Sequence, residues 1–212
     1  MRGDVTDSGI MRVLSKICDI VCLNVLWLVC SLPIITIGAS TTALYTVMLK
    51  LVKNEEGYIF KGFLHAFKLN FKQSTIIWLI LLLCGGVCFV DYRISEMMPG
   101  TLGMVFKSVF LLLAFFLISV TIYSFALTAR YENTIGATLK NALLLTVAKL
   151  PYTILMTALT VGAVVLSWWN TGILMLTIPV WILAGTGILA FINSFTFSSS
   201  SIIKKISSVD SP

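Results

Sequence analysis

Residues 17–49 form one almost unbroken apolar run of 33 positions, and no other feature limits the fold so tightly. As a single helix rising 1.5 Å per residue it would reach about 50 Å, against a hydrocarbon core of roughly 30 Å. The run has to be broken. The segment SLPIITIGAS supplies the break at Pro33 and Gly38, because proline disfavours helix at the residue before it and glycine permits a turn. A first span over 17–32 and a second over about 39–52 follow. The second is short: it crosses with help from 34–37 and a snorkelling Lys50, or it is a re-entrant helix.

Four more apolar stretches, 74–90, 105–129, 150–168 and 172–193, are each long enough to cross. With 58% hydrophobic and 11% charged positions in 212 residues, less than half the charge of an ordinary soluble domain, the expected fold is all-α. It is a polytopic transmembrane helix bundle of about six spans in a single membrane domain, 1–212, with flexible tails at 1–14 and 198–212. Lys and Arg collect in cytoplasmic loops, so their distribution sets the orientation. With the run broken at Pro33 and both termini inside, thirteen basic residues are cytoplasmic and only Arg93 and Lys107 are outside; an unbroken first span reverses the bias to five against ten. The net charge of +6 thus reflects orientation and not a nucleic-acid patch, since the basic residues are strung between apolar spans.

One polar stretch, 50–74, interrupts the apolar chain. Within it Phe60, Phe63, Leu64, Phe67 and Phe71 recur at steps of three and four and share a helical face, with Lys61, His65, Lys68 and Lys72 on the adjoining one. That pattern predicts a helix over 59–72 lying on the cytoplasmic surface, its basic face offered to lipid headgroups or to a partner. Residues 134–149 form a second amphipathic segment. The two lie at similar places after Ala43-Leu44 and Ala126-Leu127, which suggests two halves of like plan.

Little here points to chemistry. His65 is the lone histidine, too few for a His-based metal site or triad, so neither a metal, a cofactor nor catalytic residues are expected. Cys18, Cys22, Cys30, Cys84 and Cys88 show no metal-ligand spacing and read as small buried hydrophobes. Gly185-Thr186-Gly187-Ile188-Leu189-Ala190 matches a dinucleotide pattern by letters but lies in an apolar span, where small residues serve helix packing. Asp19 and Asp91 both reach an interface. The candidate polar site is the break itself, Asn24, Pro33, Thr36, Gly38 and Thr41, with Asn24 placed to bond across helices or to backbone freed at Pro33.

The elements L-N-x-x-W (23–27), S-L-P (31–33), T-x-G (36–38), A-L-Y (43–45) and F-x-x-A-F-K-x-N-F-K (63–72), with KNALLLTVAKLPYT and FINSF further on, resemble the YesL-like family of small bacterial membrane proteins of unknown function. The resemblance implies a Gram-positive plasma membrane and an association with carbohydrate-uptake operons, and supplies no catalytic residues; the Ser-rich 198–201 departs from the more basic and aromatic ending expected. Residues 134–151 also resemble the cytoplasmic coupling loop of ABC importer permeases in their small-residue helix followed by leucine and proline, without its acidic start or glycine. Two readings follow. One is a non-enzymatic accessory or scaffold component linked to a carbohydrate importer or another membrane protein; the alternative is a small transporter or permease with a cavity around Pro33.

Overall fold

The protein's structure, a computed structural model, describes residues 9–53, 58–98, 100–168 and 185–198. Helix α1 (Gly9–Ser31) begins inside the stretch expected to be a tail and stops just before Leu32 and Pro33. Pro33 is extended (φ −76°, ψ 124°) ahead of a single 3-10 turn, Ile34–Thr36, and α2 (Ile37–Val52) returns along α1. The break is thus real but shorter than expected. Gly38 takes no part in it, being inside α2. Glycine is needed there for contact: a Cβ would lie 2.6 Å from both the Ser74 carbonyl oxygen and Trp78 Cβ, so only its absence lets α2 touch α3.

Helix α3 (Ile59–Met97) runs for 39 residues without interruption, about 58 Å. This corrects the expectation of a separate surface helix over 59–72. Nothing between 59 and 97 breaks a helix, and the buried positions Phe63, Ala66, Ser74, Ile77 and Leu81 keep one phase across the boundary where the sequence turns from basic to apolar. The first half of α3 packs lengthwise on α2, with Ser74 against Gly38 and Gly62 facing Val47, instead of docking beneath the bundle. Gly100, at φ 77°, opens α4 (Gly100–Arg130). A Cβ on Gly103 would fall 2.4 Å from the Met98 carbonyl oxygen, so the turn into α4 is tight at two glycines.

Helix α5 (Ile135–Ala148) is capped by the Thr134 hydroxyl, which accepts from the Ala137 N–H at 3.4 Å. It meets α6 (Leu150–Trp168) at 101°. Helix α7 (Thr186–Ser198) packs on α1 and α2. The core joins Leu23, Leu44, Met48, Phe63, Ile77, Phe125, Leu145 and Met156. Helix α4 is buried on every side from Ile122 to Thr128, whereas Leu111, Leu112 and Leu113, with Leu82 and Leu83 on α3, are exposed. Apolar side chains turned outward over whole helical faces suit a bilayer as solvent.

Among the described residues four helical stretches are long and apolar enough to cross a membrane, Leu14–Ser31, Ile34–Val52, Ile59–Met97 and Gly100–Arg130, or five if the bent α5–α6 pair is one span. Of the sixth stretch expected, 172–193, residues 172–184 lie outside the described residues. The second stretch is the most enclosed, 56% buried against 11–28% for the others, so much of the apolarity of α2 serves the protein core. The cysteines are a further correction: Cys18, Cys22 and Cys84 are exposed, Cys30 and Cys88 half-buried, and all five thiols are free. Cys18, Cys22 and Cys84 lie on outward faces of α1 and α3, where an apolar exterior tolerates a thiol as readily as the core does, while Cys30 packs against the core.

Candidate functional site

Breaking an apolar run frees backbone carbonyls, and each unpaired polar group in hydrocarbon costs several kcal/mol, of the order of 2–7. The break between α1 and α2 answers with its own side chains. The Thr36 hydroxyl lies 2.6 Å from the Cys30 carbonyl oxygen and 2.7 Å from that of Pro33, and the Trp78 indole N–H reaches from α3 to the Ile34 carbonyl at 2.8 Å. Thr41 donates to the Ile37 carbonyl at 2.7 Å while accepting from the Trp27 indole at 3.1 Å. Ser74 donates to Thr42 at 2.8 Å, and Thr42 to the Gly38 carbonyl at 3.0 Å. Pro33, Thr36, Gly38 and Thr41 therefore do come together, as a sealed joint in which donors face the joint's own carbonyls.

Asn24 belongs to a different contact. It is fully buried and bonds across helices instead of to the break: its Oδ1 accepts from the Gly187 N–H at 2.9 Å and from the Thr186 hydroxyl. The side chain thereby caps the start of α7 in the interior, satisfying one of the N–H groups a helix start leaves open. A Cβ on Gly187 would lie 3.0 Å from Ile20 Cγ2, so part of the small-residue motif at 185–190 does serve close packing. Asn193 extends the seam by donating to the Tyr45 hydroxyl at 3.3 Å.

Sequence reasoning missed four groups that hold the bends. Ser74 and Trp78, one turn apart on α3, were visible only as members of an apolar span. At the α5–α6 corner, Thr153 Oγ1 lies 3.1 Å from the Thr146 carbonyl oxygen and 3.0 Å from that of Lys149, with the Tyr123 hydroxyl of α4 at 3.1 Å. Pro151 is the signal that could have found this corner.

The basic face is where the spacing put it. Lys61, His65, Lys68 and Lys72 are all exposed along one side of α3, while Phe63 on another is fully buried. The aromatic face is not uniform: Phe63, Leu64 and Phe67 turn to the protein, but Phe60 and Phe71 are exposed. Phe63, Phe67 and Phe71 form a ladder, with centroids 6.4 and 5.4 Å apart. At the other end of α3 the charge is neutralised locally, since Glu96 lies 3.2 Å from Arg93 and 3.8 Å from Lys107. Among the described residues no three His, Cys, Asp or Glu side chains cluster as metal ligands.

Residues 20–92 match the family described as "Protein of unknown function, DUF624". Two proteins of Bacillus subtilis (strain 168) are similar, each described as uncharacterized. YteU is 29% identical over 143 residues, 66% of this chain and 64% of YteU, so the match spans slightly less than two thirds of that relative. YesL is 31% identical over 149 residues, 68% of this chain and 69% of YesL. No solved structure matches. The similarity to YesL runs well beyond the 20–92 region that carries the break, its α3 partners and the basic stripe, and the chain belongs to the YesL-like family of unknown function.

Proposed function

We propose that the protein is a non-enzymatic multi-pass component of the bacterial plasma membrane that serves as an accessory or scaffold for a membrane partner, with the Lys61, His65, Lys68 and Lys72 stripe as the docking face. The observation behind this reading is the division of α3: one side is held in the core by Phe63, Ala66 and Ser74, and the other presents four basic side chains to the outside. A charge row on an immobilised helix offers a partner a fixed register at little ordering cost. The family resemblance suggests a carbohydrate importer as that partner. The transport alternative would need polar groups turned into a cavity at Pro33, whereas Thr36 and Trp78 there bond to carbonyls of the joint itself.

The test is co-purification in mild detergent of the wild-type protein and of the Lys61→Gln, Lys68→Gln, Lys72→Gln variant. The variant should fold normally and lose an importer subunit that the wild type retains; an unchanged set of partners would sink the docking assignment. The proposed orientation, both termini cytoplasmic, rests on the charge count. Met97 and Tyr58, at opposite ends of α3 and each 81% exposed, decide it. In a cysteine-free background Met97→Cys should react with an impermeant thiol reagent on intact cells and Tyr58→Cys should not.

A further inference from the structure

A second basic feature lies away from that stripe. The C-terminal ends of α2 and α4 stand side by side and enclose a half-open cleft of about 150 Å3 lined by Thr46, Leu49, Lys50, Lys53, Ala129 and Arg130. That space exceeds what several waters occupy and is enough for a phosphate group. Its lining sets apolar Leu49 and Ala129, with Leu49 buried, beside the cationic residues. Among the described residues no carboxylate lines it. The Thr46 hydroxyl donates to the Thr42 carbonyl at 2.9 Å, leaving Lys50 and Arg130 as the donors that a ligand would meet. The Arg130 guanidinium is steadied over the Tyr131 ring at 5.6 Å.

Cations at helix C-termini have an ordinary use, to offset the dipole. Two helix ends carry about half a negative charge each, so Lys50 and Arg130 exceed that by roughly one positive charge. The surplus matches one phosphodiester. The cleft also lies where the apolar runs of two candidate spans give way to their first charges, the depth at which headgroup phosphates sit. Basic pockets between helices at that depth suit anionic lipid heads. A guanidinium beside an ammonium offers a fork and a point charge to the same phosphate oxygens.

We infer that the cleft between the ends of α2 and α4 binds the phosphate of an anionic phospholipid headgroup through Lys50 and Arg130, with Lys53 at its rim. The experiment uses the full chain in nanodiscs of phosphatidylcholine with increasing phosphatidylglycerol, read by native mass spectrometry of retained lipid and by thermal unfolding. Phosphatidylglycerol should be retained and should raise the unfolding temperature. Lys50→Gln and Arg130→Gln should each weaken retention about fivefold, and the pair about 25-fold. The triple stripe variant at Lys61, Lys68 and Lys72 should leave it unchanged. Equal retention by wild type and the Lys50→Gln, Arg130→Gln pair overturns the site. A full thermal shift from inorganic phosphate alone, in phosphatidylcholine discs, overturns the lipid as its source. Since Lys50 is exposed and Arg130 half-buried, loss of folding in the double variant is separated from loss of binding by its unfolding temperature in pure phosphatidylcholine.

Discussion

Helix α3 and the α5–α6 pair each lead from an amphipathic segment into an apolar one, yet α3 does so straight over 39 residues while α5 and α6 meet at 101°. The difference comes from Pro151. Its nitrogen has no proton for the Val147 carbonyl and its ring would crowd that carbonyl, so a helix passing through it is costly, whereas the second position of a new helix tolerates it well. The corner is then held by Thr153 and Tyr123. In α3 the equivalent boundary carries Gln73 and Ser74, neither of which stops a helix. Gln73 instead reaches the Asn133 carbonyl at 2.7 Å, tying the straight helix to the loop ahead of α5. One amphipathic segment thus becomes half of a long core helix, and the other becomes an arm set across its own span. The suggested two-fold plan therefore does not extend to their shapes.

The largest effect expected tests which face of α3 the core holds. Phe63→Ser empties a fully buried site and should cost about 3–5 kcal/mol, seen as loss of monodisperse protein in detergent; Phe60→Ser, at a position 56% exposed, should cost less than about 1 kcal/mol. Equal effects would mean that α3 is not held by that face. Next, Gln73→Pro imposes on α3 the residue that bends the other pair. It should cost about 3 kcal/mol or more in a denaturation series, and a neutral result would show that continuity of α3 is unimportant. Gly38→Ala places a methyl 2.6 Å from the Ser74 carbonyl oxygen, which forces α2 off α3 at about 1–3 kcal/mol; Gly136→Ala, with open space around it, is the control and should be neutral or slightly stabilising. The smallest effect on stability, about 1 kcal/mol or less, is expected of Pro151→Ala with Thr153→Val, which removes both the cause and the tie of the bend. Spin labels at Lys140 and Leu159, both exposed, should then move apart toward the roughly 29 Å of a straight helix. An unchanged distance would assign the bend to the neighbouring helices.

Much of this was legible in the residues because it depends on neighbours along the chain. Pro33 ends α1 within two residues of the expected place, the span expected over 150–168 coincides with α6, and the basic row at Lys61, His65, Lys68 and Lys72 is exposed as its spacing requires. The contacts of the joint were not legible, because they cross the bundle. Asn24 meets Gly187 at a separation of 163 positions and Trp78 meets Ile34 at 44, distances over which periodicity carries no information. Gly38 shows how the two kinds of knowledge differ. Its lack of a side chain is evident in sequence and invites a turn, but the same lack serves close approach, and only the position of Ser74 and Trp78 decides between them.

By itself the sequence determined that the chain is helical and apolar, where its long run had to break, and which face of residues 59–72 is basic. These follow from backbone sterics at proline and from a helical period that acts within a few residues. Tertiary structure alone decided that 59–72 continues into α3 and packs along α2, that α2 is enclosed more than it is turned outward, and that Lys50 and Arg130 meet at one cleft. An amphipathic helix presents the same pattern whether its apolar face meets lipid or protein, so the choice belongs to whichever surface lies opposite.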